Sequence, residues 1–265
     1  MDYFNWNISP EIVHLYGKLA LRWYSLFFLA GILLGHHLFL KMCEKEGKPT
    51  EARDPLLYYI VIGTIVGARL AHCFFYDPVY TFSNPLHIFM VWEGGLASHG
   101  GFLGLFIALI FFARTHKEYP FMWMVDRGAI LALMAGGFIR LGNFFNSEII
   151  GKPALVPWAI IFQRIDTVPR HPAQLYEALT YFLISFLVYR YYLYCDRKVM
   201  PGRLLGIILV LGFSARFILE NFKENQVSFE DTMFFNMGQW LSFPFILLGL
   251  GLIFGLHKKL SKTLA

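Results

Sequence analysis

Gly136-Gly-Phe-Ile-Arg140-Leu-Gly-Asn143-Phe-Phe-Asn146-Ser-Glu148-Ile-Ile-Gly151 is the stretch whose reading decides the rest of the chain. It closes an apolar run over 123–143 that is long enough to cross a bilayer. Yet it carries an arginine, two asparagines and a carboxylate. Charge and amide groups at that depth are expensive and are retained where they do something. A guanidinium flanked by amides can hold an anionic headgroup and satisfy its oxygens.

Working outward, 57% of the 265 residues are hydrophobic and 15% charged, the composition of an integral membrane protein. Apolar runs at 19–40, 56–76, 99–113, 123–143, 173–194, 203–221 and 239–257 predict an all-α, polytopic fold of about seven transmembrane helices. Residues 1–18 are mixed and polar rather than a charged start leading into an apolar core, so no cleavable signal is expected. No repeat, low-complexity tract or composition shift marks a boundary. A single membrane domain over 1–265 is therefore expected, with outer segments at 77–98 and 144–172.

Charge orients the bundle. Fourteen basic residues (Lys41, Lys45, Lys48, Arg53; Arg114, Lys117, Arg127; Arg190, Arg197, Lys198, Arg203; Lys258, Lys259, Lys262) fall on one set of loops. Five (Lys18, Lys152, Arg164, Arg170, Lys223) fall on the other. The positive-inside rule then predicts the N-terminus outside and the C-terminus in the cytoplasm. The net charge of +5 follows from this topology, and no nucleic-acid partner is needed to explain it. Cys43, Cys73 and Cys195 lack paired spacing, which suggests neither a disulfide framework nor a metal site.

Four arginines remain inside the predicted spans: Arg22, Arg69, Arg140 and Arg216. Arg22 and Arg69 lie where their side chains can snorkel to the surface. All four fall toward the outer halves of their spans, where a lipid phosphate is the natural shared ligand. Arg216 and Glu220 share a helix face, either as a self-neutralising ion pair or with the carboxylate orienting the arginine. His99 follows Ser98, a candidate helix N-cap, and precedes Gly100 and Gly101. Such glycines let a backbone approach a ligand closely, and the imidazole can take a proton; the alternative is an ordinary hydrogen-bonded histidine. His36 and His37 lack this setting and read as structural. Arg170-His171-Pro172-Ala-Gln174-Leu-Tyr176-Glu177 opens the fifth span with Pro172 suited to a first helical turn. It is either an interfacial belt or a crowded polar edge of a site.

Taken together, these residues resemble the prolipoprotein diacylglyceryl transferase family along essentially the whole chain. The resemblance rests on Arg22-Trp-Tyr24, Trp92-Glu-Gly-Gly with His99-Gly-Gly, the Arg140–Gly151 signature, Arg170–Glu177, and Arg216 with Glu220. It implies transfer of an sn-1,2-diacylglyceryl group from phosphatidylglycerol to the lipobox cysteine of a prolipoprotein signal peptide, releasing glycerol 1-phosphate, in a bacterial inner membrane. It further implies that Arg140 and Arg216 act at the headgroup, that His99 and Tyr24 matter for activity, and that Asn143, Asn146, Glu148 and Gly151 complete the signature. Two positions depart from the family's habit: Phe213 lies where a tyrosine is common, and Lys223 replaces an arginine without its fork geometry. No cofactor is required, because a phosphate with its charge clamped is already a competent leaving group. A polytopic transporter would more often show repeated halves, which are not detectable here. A purely structural lipid-binding subunit leaves His99 and its glycines unexplained.

Overall fold

The computed structural model describes residues 3–16, 19–49, 51, 53–91, 94–225, 230 and 233–256. Lys18, Trp92, Glu93, Lys258, Lys259 and Lys262, used above for topology or for the resemblance, lie outside the described residues. All seven apolar runs coincide with helices: α1 Trp23–Lys45, α2 Arg53–Ala71, α4 Ser98–Thr115, α5 Phe121–Asn146, α6 Ala173–Tyr194, α7 Arg203–Leu219 and α8 Met237–Gly251. A short α3, Pro78–Ser83, lies between the second and third of these. Among the described residues, five stretches are long and apolar enough to cross a membrane: Trp23–Lys45, Arg53–Tyr76, Phe121–Asn146, Arg203–Phe222 and Met237–Gly255. The helix after His99 is shorter, and α6 is rich in tyrosine and carries Glu177 and Arg190. The protein is thus a mostly helical, polytopic membrane protein.

The all-α expectation is corrected by five short strands among the described residues, β1 Phe4–Trp6, β2 Glu11–Tyr16, β3 Leu19–Arg22, β4 Ile160–Phe162 and β5 Pro169–Arg170. β2 and β3 pair antiparallel, with Glu11 opposite Arg22. Because β3 occupies 19–22, the first helix begins at Trp23, and Arg22 is a strand residue paired with Glu11 at 3.2 Å rather than a residue inside a span.

The chain forms two compact units, Met1–Met42 with Val125–Ala265, and Cys43–Met124. In the first, Met42, Ile130, Ile184, Val188, Tyr192, Leu204 and Ile208 make one core from α1, α5, α6 and α7. Many of the remaining large apolar side chains, such as Leu33, Leu183, Phe186 and Leu247, face outward, as lipid permits. Asp126 of α5 accepts hydrogen bonds from Gly202 N (2.7 Å) and Leu205 N (2.9 Å), a carboxylate satisfying orphan donors at the start of α7. A second small core of Trp6, Phe144, Ile160 and Phe162 sets the sheet β1-β4-β5 against the end of α5.

In the second unit, α2 and α4 cross at glycines. A Cβ added to Gly67 would lie 2.7 Å from Gly104 Cα, and one on Gly104 would lie 2.9 Å from Gly67 Cα. Gly63 and Gly100 fall at the same crossing, which is the small-xxx-small packing that lets membrane helices touch backbone to backbone.

Candidate active site

The signature stretch works because of how α5 stops. The helix continues to Asn146, beyond the predicted end at 143, and closes with Glu148 N donating to Asn143 O (2.9 Å) and Ser147 N to Phe144 O (3.1 Å). This is a Schellman ending in which serine takes the left-handed position, φ 56°. Ile149 also has φ 56°, a conformation that costs a β-branched residue about 1–2 kcal/mol. Gln174 Nε2 holds the turn by donating to Glu148 O at 2.7 Å. Glu148 is then turned back toward α5, where Asn143 Nδ2 and Asn146 Nδ2 each donate to its carboxylate at 3.1 Å.

Gly151 ends the turn at a crowded point. A Cβ there would lie 2.7 Å from His171 Cβ, so only glycine fits. Residues 150–152 pair with 222–224: Lys152 N donates to Phe222 O (2.9 Å) and Glu224 N to Ile150 O (3.1 Å). Arg170 pins this region from β5, donating to Gly151 O (3.2 Å), Glu224 Oε2 (3.1 Å) and Asp166 Oδ2 (2.5 Å). Those guanidinium bonds hold the Asp166 carboxyl below the usual carboxylate range, and Asp166 in turn raises Arg170. His171 Nδ1 is 3.0 Å from Tyr176 OH, which also accepts from Trp158 Nε1 at 2.7 Å.

Inside α5, Arg140 donates from one terminal nitrogen to Asn143 Oδ1 at 3.1 Å. Its Nε comes within 2.9 Å of Glu177 Oε2 without hydrogen-bond alignment, so that contact is ionic. Glu177 is buried on α6, with Tyr181 OH 3.5 Å away. Arg216 of α7 approaches Glu220 Oε1 at 3.6 Å, and Glu220 Oε2 accepts from Asn236 Nδ2 at 3.3 Å. Tyr24, at the start of α1, packs on Gly142. Arg140, Arg216, Tyr24, Asn143, Asn146, Glu148, Gly151, Arg170, His171, Gln174, Tyr176, Glu177 and Glu220 therefore belong to one unit. A polar cavity of about 400 Å³ adjoins the signature, lined among others by Glu11, Arg22, Arg164, Asn146 and Glu148. Arg22 and Arg164 reach it because a strand and a loop fold back beside α5, which no local pattern announces.

His99 and Gly100 belong to the other unit. Helix α4 begins at Ser98 with Ala97 before it in extended backbone, so Ser98 is inside the helix rather than its cap. His99 is exposed, and its imidazole makes no hydrogen bond among the described residues. Gly100 lies against Gly67 and Ala71 at the helix crossing. Arg69 does not present a free guanidinium: it is 2% exposed and donates to the carbonyls of Ile88 (3.2 Å), Gly94 (2.5 Å), Gly95 (3.4 Å) and His87. No group of three or more His, Cys, Asp or Glu suited to a metal occurs among the described residues.

In the sequence Lys223 counts as one of five basic loop residues and as a departure from the family's arginine. It proves to be buried, with Nζ 2.7 Å from Glu220 Oε1 and 3.8 Å from Glu177 Oε1. The pairing of its backbone with Gly151 is nonlocal and left no signal in the residue pattern.

A multi-helix membrane protein with arginines, carboxylates and amides gathered around one strained turn is the class this fold and cluster define. The chain belongs to the prolipoprotein diacylglyceryl transferase family, whose profile matches residues 10–255, and by that membership it is a transferase. It is 48% identical to the phosphatidylglycerol–prolipoprotein diacylglyceryl transferase of Tolumonas auensis over 94% of this chain and 95% of that one. The enzyme of the same name from Chloroherpeton thalassium is 47% identical over 96% and 94%. That from Bacteroides fragilis is 40% identical over 97% and 96%.

Proposed function

We propose that this chain transfers the sn-1,2-diacylglyceryl group of phosphatidylglycerol to the lipobox cysteine of a prolipoprotein signal peptide, the first step of bacterial lipoprotein maturation. The near-full-length match to enzymes that carry the phosphatidylglycerol–prolipoprotein name is the observation that carries this reading. In it the chain acts as one catalytic domain in the cytoplasmic membrane. It crosses seven times, with the N-terminus outside and the C-terminus in the cytoplasm, and the strained turn at the outer face.

The chemistry follows from the residues. The cysteine sulfur attacks C3 of the glyceryl group, a C–S bond forms, and the C3–O bond breaks. Its electron pair leaves on the phosphate oxygen of glycerol 1-phosphate, where charge grows. Arg140 and Arg216 stabilise that charge, and both keep part of the guanidinium open beside a buried carboxylate. Asn143, Asn146, Glu148 and Tyr24 shape the headgroup end, and Gly151 lets the turn close. A thiol of ordinary pKa is only a few per cent thiolate near neutrality, so a base accelerates the step. His99 is proposed as that proton acceptor, its imidazole being exposed and without a hydrogen-bond partner among the described residues.

Purified enzyme reconstituted with phosphatidylglycerol and a lipobox peptide tests the reading by peptide mass. A diacylglyceryl gain on cysteine, absent with a Cys→Ser peptide, is the expected result. A folded enzyme that binds the lipid and leaves the peptide unchanged would remove the reading. Within the same assay, a normal rate for His99→Gln at neutral pH would exclude the base role.

A further inference from the structure

Between the two arginines lie three charged side chains that are closed to a ligand. The order is Arg140, Glu177, Lys223, Glu220, Arg216. Successive separations are 2.9 Å, 3.8 Å, 2.7 Å and 3.6 Å, each between a nitrogen and a carboxylate oxygen. The middle three side chains are 1%, 6% and 7% exposed, whereas Arg140 and Arg216 at the ends are 16% and 34% exposed. Five residues from α5, α6, the segment after α7 and α7 itself thus form one alternating line of charge with only its two cationic ends accessible.

The arithmetic of that line matters. Three cations share two carboxylates, so the line carries one net positive charge. Each carboxylate is divided between an arginine and Lys223. Neither arginine is neutralised by a carboxylate of its own, and both retain attraction for an anion. Without the Lys223 ammonium, Arg140 with Glu177 and Arg216 with Glu220 become two closed, neutral pairs. The backbone adds a second constraint, because Lys223 lies opposite Gly151 in the pairing that fastens the signature turn.

We propose that Glu177 and Lys223 are positioning residues for the transfer reaction: a buried charge bridge that sets Arg140 and Arg216 at one spacing and keeps both under-neutralised toward a single phosphate group. This rests on the function proposed above. Glu177, which the sequence places on the polar edge that opens the fifth span, thereby takes a role exercised through Arg140 and Lys223.

The test is a double-mutant cycle on kcat with Arg140→Lys and Arg216→Lys, run in the native background and again in Lys223→Met. In the native background the combined loss should differ from the product of the single losses by roughly threefold or more. In Lys223→Met the two losses should multiply independently. Lys223→Met alone should lower kcat by about tenfold while changing KM for phosphatidylglycerol less, and Lys223→Arg should restore the rate, since the lost effect is charge placed on the leaving group. Should Lys223→Met not fold, Lys223→Gln carries the same cycle. Persistent coupling without the lysine charge, or a native kcat in the folded variant, overturns the proposal. A native enzyme without diacylglyceryl transfer is a different result: it removes the transfer reading, and the bridge's role with it.

Discussion

Arg140 and Arg69 are both arginines of apolar, membrane-length helices, and they are satisfied in opposite ways. Arg69 is 2% exposed and its guanidinium is surrounded by four backbone carbonyls from residues 87–95. Dipoles that belong to the chain cannot be exchanged for a ligand, so this arginine folds residues 87–95 onto α2. Arg140 has side-chain partners, one amide and one carboxylate, and that carboxylate is shared with Lys223. A charge held by a shared partner keeps electrostatic attraction to offer. The kind of partner, rather than depth or burial, separates an arginine that builds a membrane fold from one able to serve chemistry in it.

The largest expected effect breaks the pair apart. Arg140→Ala should reduce transfer by about 10²–10³-fold or more, the scale for removing a charge-stabilising donor at the reacting centre. Arg140→Lys should keep part of the rate, having the charge without the fork. Arg69→Ala should instead leave the rate per folded molecule near native and lower stability by about 2–4 kcal/mol, as carbonyls lose a charged donor. Thermal unfolding in detergent, read beside peptide mass, separates the two. Loss of transfer in a fully stable Arg69→Ala would erase the distinction between the two arginines.

The glycines of the second unit give the next effect. Gly67→Val should destabilise by about 1–3 kcal/mol, because its Cβ meets the backbone of α4 and helix separation must increase. Gly128→Ala on α5, where nothing lies within 4 Å of the added carbon, should be neutral or slightly stabilising through helix propensity. Equal unfolding temperatures for the two variants would mean that the close crossing of α2 and α4 contributes little.

Much of this is legible in the sequence, for reasons that differ by residue. Helices announce themselves in a membrane chain because every backbone group must be satisfied locally, and all seven apolar runs became helices within a few residues of their predicted ends. Arg140, Asn143, Asn146 and Glu148 could be grouped because they lie on one helix end and its following turn. The residue pattern does not show the strands: β1, β4 and β5 are two or three residues long, and their pairing joins Phe4 to Ile160 and Ile160 to Arg170. Arg22 lies in the same apolar run as α1, and only the pairing of β3 with β2, with no turn residue at the junction, makes it a strand residue. The glycines after His99 suggest a ligand cradle by pattern, whereas the neighbours of Gly100 are α2 atoms. A glycine's purpose depends on what approaches it, and one sequence cannot show that. The partnership of Glu177 with Lys223 was hidden likewise, because burial and nonlocal pairing create it.

Arg170 offers the finest test, because it combines both modes: one carbonyl, Gly151 O, and the carboxylates of Asp166 and Glu224. The Asp166 carboxyl sits below its ordinary value because Arg170 donates to it, so its charged form is favoured in the folded protein. A depressed carboxylate contributes stability that is complete above the unfolded value of about 3.9 and is lost as pH falls through the lower folded value. Asp166→Asn should therefore be slightly less stable than native at pH 7, by under about 1 kcal/mol because the pair is partly open to solvent. The gap should begin to narrow below about pH 4, as the carboxyl of the unfolded chain protonates, and vanish once the native carboxyl protonates at its lower value. Added salt at pH 7 should shrink it too, since screening weakens exposed pairs first. A gap that stays constant from pH 7 down to pH 3 would mean that Arg170 holds the Gly151 turn through the carbonyl and Glu224 alone. Arg170 would then stand with Arg69 as an arginine whose part is structural.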